Sequence, residues 1–385
     1  MTKKSILVIA LSARPFVAAA KKAGYSVISI DAFADQETTA LADKTFVVDF
    51  DAHGFTKTQL LEIVQSLVLD DYIGFVYGSG LEAEPALLQS LAMVLPLIGN
   101  SAKCVAAVKT ASTFFAALDE LNINYPATYF SKPADTDTQN YLVKFAGGCG
   151  GTHIQTCDSH SLNVASKNHY FQQYIKGHSV SVLFLAFKNT VSVIGFNEQL
   201  ISESNSAPFR YGGAVSNIDL PQQVKKQLIE IAEKLTIQFE LVGLNSIDVI
   251  VQNEMVYVLE INPRLSATVD LYTSDMPELF AAHLQACTSP NLPMTLCLPA
   301  KQLNAHAIVY APQALQVANT LHWPDWVVDI PISEQAIMNI KLDAPICTVL
   351  ASAETSESAK QLVQSRVKIL LETLVNHSIS HHHAR

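Results

Sequence analysis

Residues 246–264, SIDVIVQNEMVYVLEINPR, hold the side chains best suited to chemistry. Two apolar runs flank the polar residues 252–254, so the segment predicts a β-hairpin. With a turn centred on Glu254, Asp248 and Glu260 are directly opposed, and such residues have Cβ atoms roughly 4.5–5.5 Å apart. Two carboxylates at that distance repel each other, so the pattern predicts a cation between them.

The neighbouring side chains indicate which cation this is. Asn262 lies two residues beyond Glu260 on the same face, and Arg264 follows with the same spacing. Two carboxylates and one amide suit Mg²⁺, which takes few protein ligands and keeps substrate phosphates in its shell. We therefore predict Asp248, Glu260 and Asn262 as metal ligands, with Mn²⁺ as an alternative ion. Arg264 is predicted to hold an anion beside the metal.

The rest of the hairpin is apolar on both faces, which predicts burial on both sides. The residues expected on the face of the acids are Ile250, Val256 and Val258. Those expected on the opposite face are Val249, Val251, Leu259 and Ile261. A buried carboxylate needs a counter-charge. The alternative is a hairpin whose acids point into solvent, with Arg264 in a surface salt bridge.

A lysine followed by a glycine-rich stretch forms a second candidate site. Lys144 ends YLVK and is followed by FAGGCGGT, in which Gly147, Gly148 and Gly150 free the backbone to approach a ligand. Successive N–H groups of such a loop can hold phosphate. No Gly-Lys-Ser/Thr follows, so it is not a Walker loop. The alternative for this stretch is an ordinary flexible turn. A further lysine, Lys109, lies between two predicted helices and by itself would be read as a surface side chain.

The elements before these motifs alternate between strands and helices. Apolar runs at residues 5–11, 25–30, 45–48 and 72–77 predict strands, and residues 15–23 and 57–69 predict helices. Continuous apolar strands separated by helices favour a parallel sheet covered on both faces. The first strand–helix turn, LSARP, lacks G-x-G-x-x-G, so nothing supports nicotinamide-dinucleotide binding.

From about residue 99 the pattern changes to helices at 101–108 and 111–121, several β-rich runs, a long helix at 222–239 and the acidic hairpin. Short strands and a helix near 359–374 end the chain. We predict three units: an N-terminal α/β domain (1–98), a central domain (99–300) and a small β-rich unit (301–385). The tail, with three successive histidines at 381–383, is expected to be disordered rather than metal-binding.

Composition excludes several classes of function. The formal charge is −10 and no basic block occurs, which argues against nucleic-acid binding. No apolar stretch is long enough to span a membrane, and the apolar run near the start is too short and interrupted for a secretory signal. The six cysteines form no C-x-x-C pair, which favours a reduced, cytoplasmic location. The high apolar content is consistent with a homodimer.

In this order, the motifs resemble those of the ATP-grasp superfamily over residues 99–264. Asp248, Glu260 and Asn262 have the spacing of that family's magnesium ligands, and Arg264 that of the arginine beyond them. The resemblance implies that Lys109 and Lys144 contact phosphate. It also implies an α/β protein of the α+β ATP-grasp type, with a pre-ATP-grasp domain first.

The same resemblance implies an adenine-contacting strand. Gln172, Gln173, Tyr174 and Ile175 match it, although the family often has Glu at the first position. Ser179 stands where the family often has a Glu that binds ribose, which leaves the ribose contacts open. Residues 209–215, FRYGGAV, and 329–351 look like the carboligase branch related to biotin carboxylase.

The activity that this resemblance implies is an ATP- and Mg²⁺-dependent carboxylate–amine ligation through an acyl phosphate. The substrates would be a small-molecule acid and an amine, and some relatives add an amino acid in the synthesis of pterin- or furan-type one-carbon cofactors. Arg264 and Arg210 are the candidates for holding the acyl phosphate, with a solvated side chain as the alternative for Arg210. Ser79 and Glu82 are candidates for the second substrate, unless Glu82 only favours a helix start.

Two other activities remain open from the sequence. One is carboxyphosphate chemistry with bicarbonate, as in biotin carboxylase. The other is ATP binding without turnover.

Overall fold

The N-terminal part forms the predicted parallel sheet. The computed structural model of the protein describes residues 4–51, 54–68, 71–131, 133, 140–157, 168–289 and 303–378. Four parallel strands lie in the order β3-β2-β1-β6. The elements are β1 (Ser5–Ile9), α1 (Arg14–Lys22), β2 (Ser26–Asp31), α2 (Gln36–Leu41), β3 (Lys44–Val47), β4 (Phe50–Asp51), β5 (Gly54–Phe55), α3 (Lys57–Ser66), β6 (Tyr72–Tyr77) and α4 (Pro85–Ala92). The side chains of β1 are almost entirely buried because helices cover both faces.

Next comes a small antiparallel sheet with the order β7-β10-β8-β9. Two helices, α5 (Ala102–Lys109) and α6 (Ala111–Glu120), precede its strands β7 (Thr128–Tyr129), β8 (Tyr141–Phe145), β9 (Ile154–Thr156) and β10 (His169–Gln173). Helix α5 begins at Ser101, whose side chain accepts a hydrogen bond from the N–H of Cys104. Both helices lie close to the boundaries predicted from the sequence.

An eight-stranded sheet, β15-β14-β11-β12-β13-β16-β20-β18, dominates the rest of the molecule. Its central elements are β11 (His178–Phe187), β12 (Thr190–Ile201), β13 (Tyr211–Val215), α7 (Gln222–Phe239), β14 (Gly243–Gln252), β15 (Met255–Asn262) and α8 (Leu279–Thr288). Helix α7 buries Val224, Leu228, Ile231 and Leu235 at helical spacing. They pack in one core with the apolar side chains of β14 and β15.

Three of the C-terminal strands continue this sheet, while two others pair with each other in a separate two-stranded sheet. The C-terminal elements are β16 (Leu303–Tyr310), β17 (Leu315–Ala318), β18 (Val327–Val328), β19 (Ile337–Ile340), β20 (Pro345–Ala353) and α9 (Ser356–Asn376). Strand β16 pairs with β13, and β20 pairs with β16. The α/β class with an N-terminal parallel sheet is confirmed, while the division at residues 98 and 300 remains a prediction.

Two expectations fall partly outside the described residues. Five cysteines are free thiols in the structure, whereas Cys297 and the histidine-rich tail lie outside the described residues, in 290–302 and 379–385. Among the helices that the structure describes, none has the length and apolar character needed to cross a bilayer.

Candidate active site

The acidic hairpin forms, but its turn differs from the prediction. Asn253 and Glu254 both have positive φ, 49° and 64°, and form a two-residue turn between Gln252 and Met255. A turn of that length alone would put Asp248 out of register with Glu260. A β-bulge between these pairings restores the register, so Asp248 does pair with Glu260.

The bulge also corrects the predicted faces. Val258 pairs with Val249 and joins the buried core, together with Val256. The uninterrupted alternation predicts both valines on the face of the acids. That prediction is wrong, because both lie on the core face. The acid face is instead partly open, and the Glu260 side chain is 34% exposed. The carboxylates therefore line a cleft and are not enclosed on both sides.

Asn262 forms a hydrogen bond with one carboxylate oxygen of Asp248, and the other oxygen has no partner among the described residues. The Asn262 amide nitrogen donates to Asp248 Oδ2 at 3.1 Å. Asp248 Oδ1 is buried and has no hydrogen-bond partner within the described residues. Burial and the Glu260 charge raise the pKa of Asp248 to about 6, against the smaller opposing effect of Ser181 and other neighbours. Such an oxygen suits a cation as its missing partner.

Lys109 supplies the positive charge next to these acids. Its Nζ lies 3.0 Å from Glu260 Oε2 and 3.3 Å from Asn262 Oδ1, and the residue is only 9% exposed. Burial would raise the pKa of Glu260, but Lys109, His153 and Lys144 outweigh it and lower that pKa to about 2. Helix α5 ends at Lys109, and this places the ammonium group over the hairpin.

Lys144 lies on the small sheet, facing the same cleft. Its Nζ donates to Gln172 Oε1 at 2.6 Å, and the Gln172 amide nitrogen donates to the Thr128 hydroxyl at 3.0 Å. Burial lowers the pKa of Lys144 to about 8, although Glu260 and Asp248 oppose this. The amide of Gln172 orients the ammonium group without neutralising it, so its charge remains for an anion.

The glycine-rich loop is folded tightly over the cleft. Gly147 has φ of +81°, and a Cβ there would lie 3.0 Å from the Cα of Ala83. Gly151 has φ of +72°, and a Cβ there would strike the carbonyl oxygen of Phe209 at 2.0 Å. These two positions need glycine because the loop packs against the backbone on both sides. Gly148 and Gly150 belong to the same loop.

His153 is a site residue that the sequence analysis missed. With Lys109, Glu260, Gly147 and Gly148 it lines a cavity of about 30 Å³. Its Nδ1 is buried without a hydrogen-bond partner among the described residues, and burial lowers its pKa to about 4. Its position two residues after the glycine run was the available signal. A cavity this small holds about one water molecule.

The predicted adenine strand ends β10 and continues beyond it. The N–H groups of Gln173 and Tyr174 donate to the carbonyls of Ala127 and Asn140, at 2.8 and 2.7 Å. Within the described residues the N–H of Ile175 donates no backbone hydrogen bond, and the adenine contact of this strand stays a prediction. The Ser179 hydroxyl donates to Gln199 Oε1 at 2.9 Å, so it is already engaged.

The two arginines have different surroundings. Arg264 donates from Nε to Glu82 in a buried ion pair and from Nη2 to Asn262 Oδ1 at 3.2 Å. Glu82 in turn accepts from the N–H of Gly80 at 2.8 Å, so it does more than begin helix α4. This pair links the loop after β6 to Asn262, one of the predicted metal ligands.

Arg210 is engaged elsewhere. Its Nη1 lies 3.1 Å from Asp343 Oδ1, its Nε donates to the Ser202 carbonyl, and its guanidinium lies 3.7 Å from the Tyr310 ring centroid. None of these partners belongs to the acid–lysine group. The solvated alternative is wrong, because Arg210 is only 5% exposed. Its role in holding an acyl phosphate stays a prediction.

The donor set fits Mg²⁺ better than a softer metal. No cluster of three or more His, Cys, Asp or Glu suited to a metal occurs within the part of the chain that the structure describes. Two carboxylates and an amide with one orphaned oxygen remain, and Mg²⁺ commonly accepts such a partial oxygen shell.

Comparisons with known proteins agree with this geometry. The family model for the ATP-grasp domain matches residues 109–268. The chain is 26% identical over 384 residues to the uncharacterized protein MJ0776 of Methanocaldococcus jannaschii, covering 93% of this chain and 90% of that protein. It is 27% identical over 144 residues to tyramine–L-glutamate ligase of Methanocaldococcus fervens, covering 37% of this chain and 43% of the ligase.

A solved structure shares nearly the whole fold. The biotin carboxylase domain of Hydrogenobacter thermophilus 2-oxoglutarate carboxylase, in complex with MgADP, ADP and bicarbonate, superposes with a TM-score of 0.72. The two are 11% identical, and the match covers 97% of this chain and 94% of that one. The resemblance found in the motifs is confirmed over residues 109–268, which match the family model for the ATP-grasp domain.

Proposed function

We propose that the protein is an ADP-forming, Mg²⁺-dependent ligase that joins a small carboxylic acid to an amine. The observation that carries the proposal is the convergence of Lys109 and Lys144, from two different elements, on the paired carboxylates Asp248 and Glu260. Two cations and a cation-seeking acid pair in one cleft suit a triphosphate with its metal.

The residues of the chain have distinct tasks in this reaction. Lys109 and Lys144 bind phosphate oxygens, and the glycine loop excludes water that would hydrolyse an acyl phosphate. The substrate carboxylate attacks the γ-phosphorus and ADP leaves; an amine then displaces phosphate. Arg264 lies beside Asn262 and is suited to the transferred phosphoryl group. Asp248, Glu260 and Asn262 would hold Mg²⁺, which would supply charge neutralisation for that group.

The ligase similarity favours an amine acceptor, whereas the carboxylase fold favours bicarbonate. We prefer an amine acceptor because this chain is 27% identical to the ligase over the matched residues and 11% identical to the carboxylase domain. The acid–amino-acid specificity and a place in pterin- or furan-type cofactor synthesis remain finer proposals on the same basis. Binding without turnover is disfavoured because all three ligand-type side chains are present.

A coupled ADP-release assay with ATP and Mg²⁺ tests the proposal. The acids are the proteinogenic L-amino acids and simple carboxylates, and the amines are the same amino acids and tyramine. ADP release that requires both an acid and an amine supports the ligase. Release that requires bicarbonate and no amine supports the carboxylase, and nucleotide binding without any release supports the third reading.

A further inference from the structure

Tyr211 and His306 form a buried polar contact that the functions above do not use. Tyr211 begins β13, and its hydroxyl lies 2.8 Å from Nε2 of His306 on the neighbouring strand β16. His306 is only 4% exposed, and its Nδ1 has no hydrogen-bond partner in the described part of the chain. That nitrogen lies 3.9 Å from Oδ2 of Asp270.

The contact lies on the catalytic face of the large sheet. Ile250, two residues from Asp248 and so on its face, pairs with Ser179, whose hydroxyl donates to Gln199. Gln199 pairs with Ala214, and Ala214 pairs with His306. The imidazole is therefore on the same side of the sheet as the paired acids.

Tyr211 connects this contact to the cleft. Its backbone N–H donates to the carbonyl of Gly150 in the glycine-rich loop at 2.9 Å. Burial and then the charge of Asp248 raise the pKa of the Tyr211 phenol, while Arg264 lowers it. Both Asp248 and Arg264 therefore act on this hydroxyl, and Tyr211 as a residue is half-buried.

The tautomer of His306 sets the direction of this hydrogen bond, and the charge of Asp270 favours a proton on Nδ1. A proton on Nδ1 faces the carboxylate of Asp270, which leaves Nε2 as an acceptor for the phenol proton. Asp270 is itself held by Arg14, at 3.1 and 2.5 Å. The phenol oxygen then keeps its lone pairs for an N–H of the substrate.

We propose that Tyr211 is the catalytic base for the attack of the amine, relaying a proton to His306, with Asp270 as a positioning residue. This rests on the proposed ligase function. The amine nitrogen bonds to the acyl carbon, and the bond from that carbon to the phosphate oxygen breaks with its electron pair going to phosphate. One N–H proton moves to the Tyr211 oxygen as the phenol proton moves to Nε2; the relay then returns a proton to the departing phosphate.

Comparing two nucleophiles, hydroxylamine and the amine substrate, distinguishes a catalytic base at Tyr211 from a residue that only supports the fold. Hydroxylamine attacks acyl phosphates without the help of a base and traps them as hydroxamates, whereas an amine substrate needs its proton removed. We expect Tyr211→Phe to lower amide formation about 100-fold or more, the range of general-base catalysis. Hydroxamate formation in the same variant should stay within about threefold of wild type, because hydroxylamine does not use the relay.

His306→Gln tests the relay more sharply. Glutamine can accept the phenol hydrogen bond but cannot take up its proton, so amide formation should fall as in Tyr211→Phe. Tyr72→Phe, which removes a phenol hydroxyl from β6, is the matched control and should leave both products unchanged. The assays use ATP, Mg²⁺ and the acid and amine that release most ADP in the wild-type screen.

Amide formation near the wild-type rate in Tyr211→Phe or His306→Gln would overturn the relay. A parallel loss of hydroxamate would also overturn it, because the residues would then serve folding or the first step. No hydroxamate from the wild-type enzyme with any acid would overturn the proposed ligase itself, and the relay with it.

Discussion

Glu82→Gln should destabilise the protein strongly, because it removes the charge that balances a buried arginine. Glu82 is 2% exposed and Arg264 is 8% exposed. Glutamine keeps an oxygen that can accept from the N–H groups of Gly80 and Leu81, so the change is confined mainly to charge. Leaving one member of a buried ion pair without its partner costs about 3–5 kcal/mol of unfolding free energy.

A nearby pair provides the control. Lys57 and Glu84 are also in contact, at 3.0 Å, but their side chains are 46% and 43% exposed. Glu84→Gln should therefore lower the unfolding free energy by no more than about 1 kcal/mol. Glu82 and Glu84 follow the same strand, so differences in burial account for the contrast.

The assay is urea unfolding followed by circular dichroism, with a double-mutant cycle that adds Arg264→Met. Removing both charges should recover at least about 2 kcal/mol relative to Glu82→Gln alone. Burial would raise the pKa of Glu82, but Arg264 and Lys109 outweigh it and hold that pKa below its usual value. The stabilisation is thus present above the usual pKa and lost as pH falls through the lowered one.

Two results would refute this reasoning. One is a loss in Glu82→Gln no larger than in Glu84→Gln. The other is a cycle in which the two substitutions are additive, since the pair would then contribute nothing through its charges.

Three further predictions concern the cleft and the core. Glu260→Gln should abolish ADP formation in a protein that still folds, with exposed Glu254→Gln as control; wild-type turnover would contradict the metal assignment. Lys144→Ala should raise KM for ATP roughly 10–100-fold, the effect of losing one charged hydrogen bond, whereas exposed Lys188→Ala should not; equal KM values would exclude Lys144 from the phosphate site. Burial lowers the pKa of His283 from 6.5 to about 4, so the folded state holds it neutral. Stability should therefore be fully present above pH 6.5 and fall by roughly 3 kcal/mol towards pH 4; an equal acid loss in His283→Asn, measured by urea unfolding, would contradict this.

Local patterns were sufficient for much of the fold. The four parallel strands and helices α5, α6 and α7 were predicted close to their observed bounds because apolar periodicity and turn residues are properties of neighbouring positions. The opposition of Asp248 and Glu260 was also predicted, although for an incomplete reason. The prediction assumed an odd-numbered turn, and the structure reaches the same pairing with a two-residue turn and a bulge.

Contacts between distant segments escaped the sequence analysis. Nothing near Arg264 in the chain indicates Glu82 as its partner, and nothing near Arg210 indicates Asp343. His306 was not singled out, because a lone histidine in an apolar strand has no local signature of the tyrosine it contacts.

The sequence by itself determined the types and spacing of the acids, lysines and glycines, because one strand or one loop holds each set at a fixed separation. Tertiary structure alone decided which charges are balanced and which remain free for a ligand. Burial removes the screening of water, so a charge's pKa and its availability depend on partners that folding brings from remote parts of the chain. For this reason Lys109 and Lys144 both lie near Glu260, whereas Arg210 is paired with Asp343.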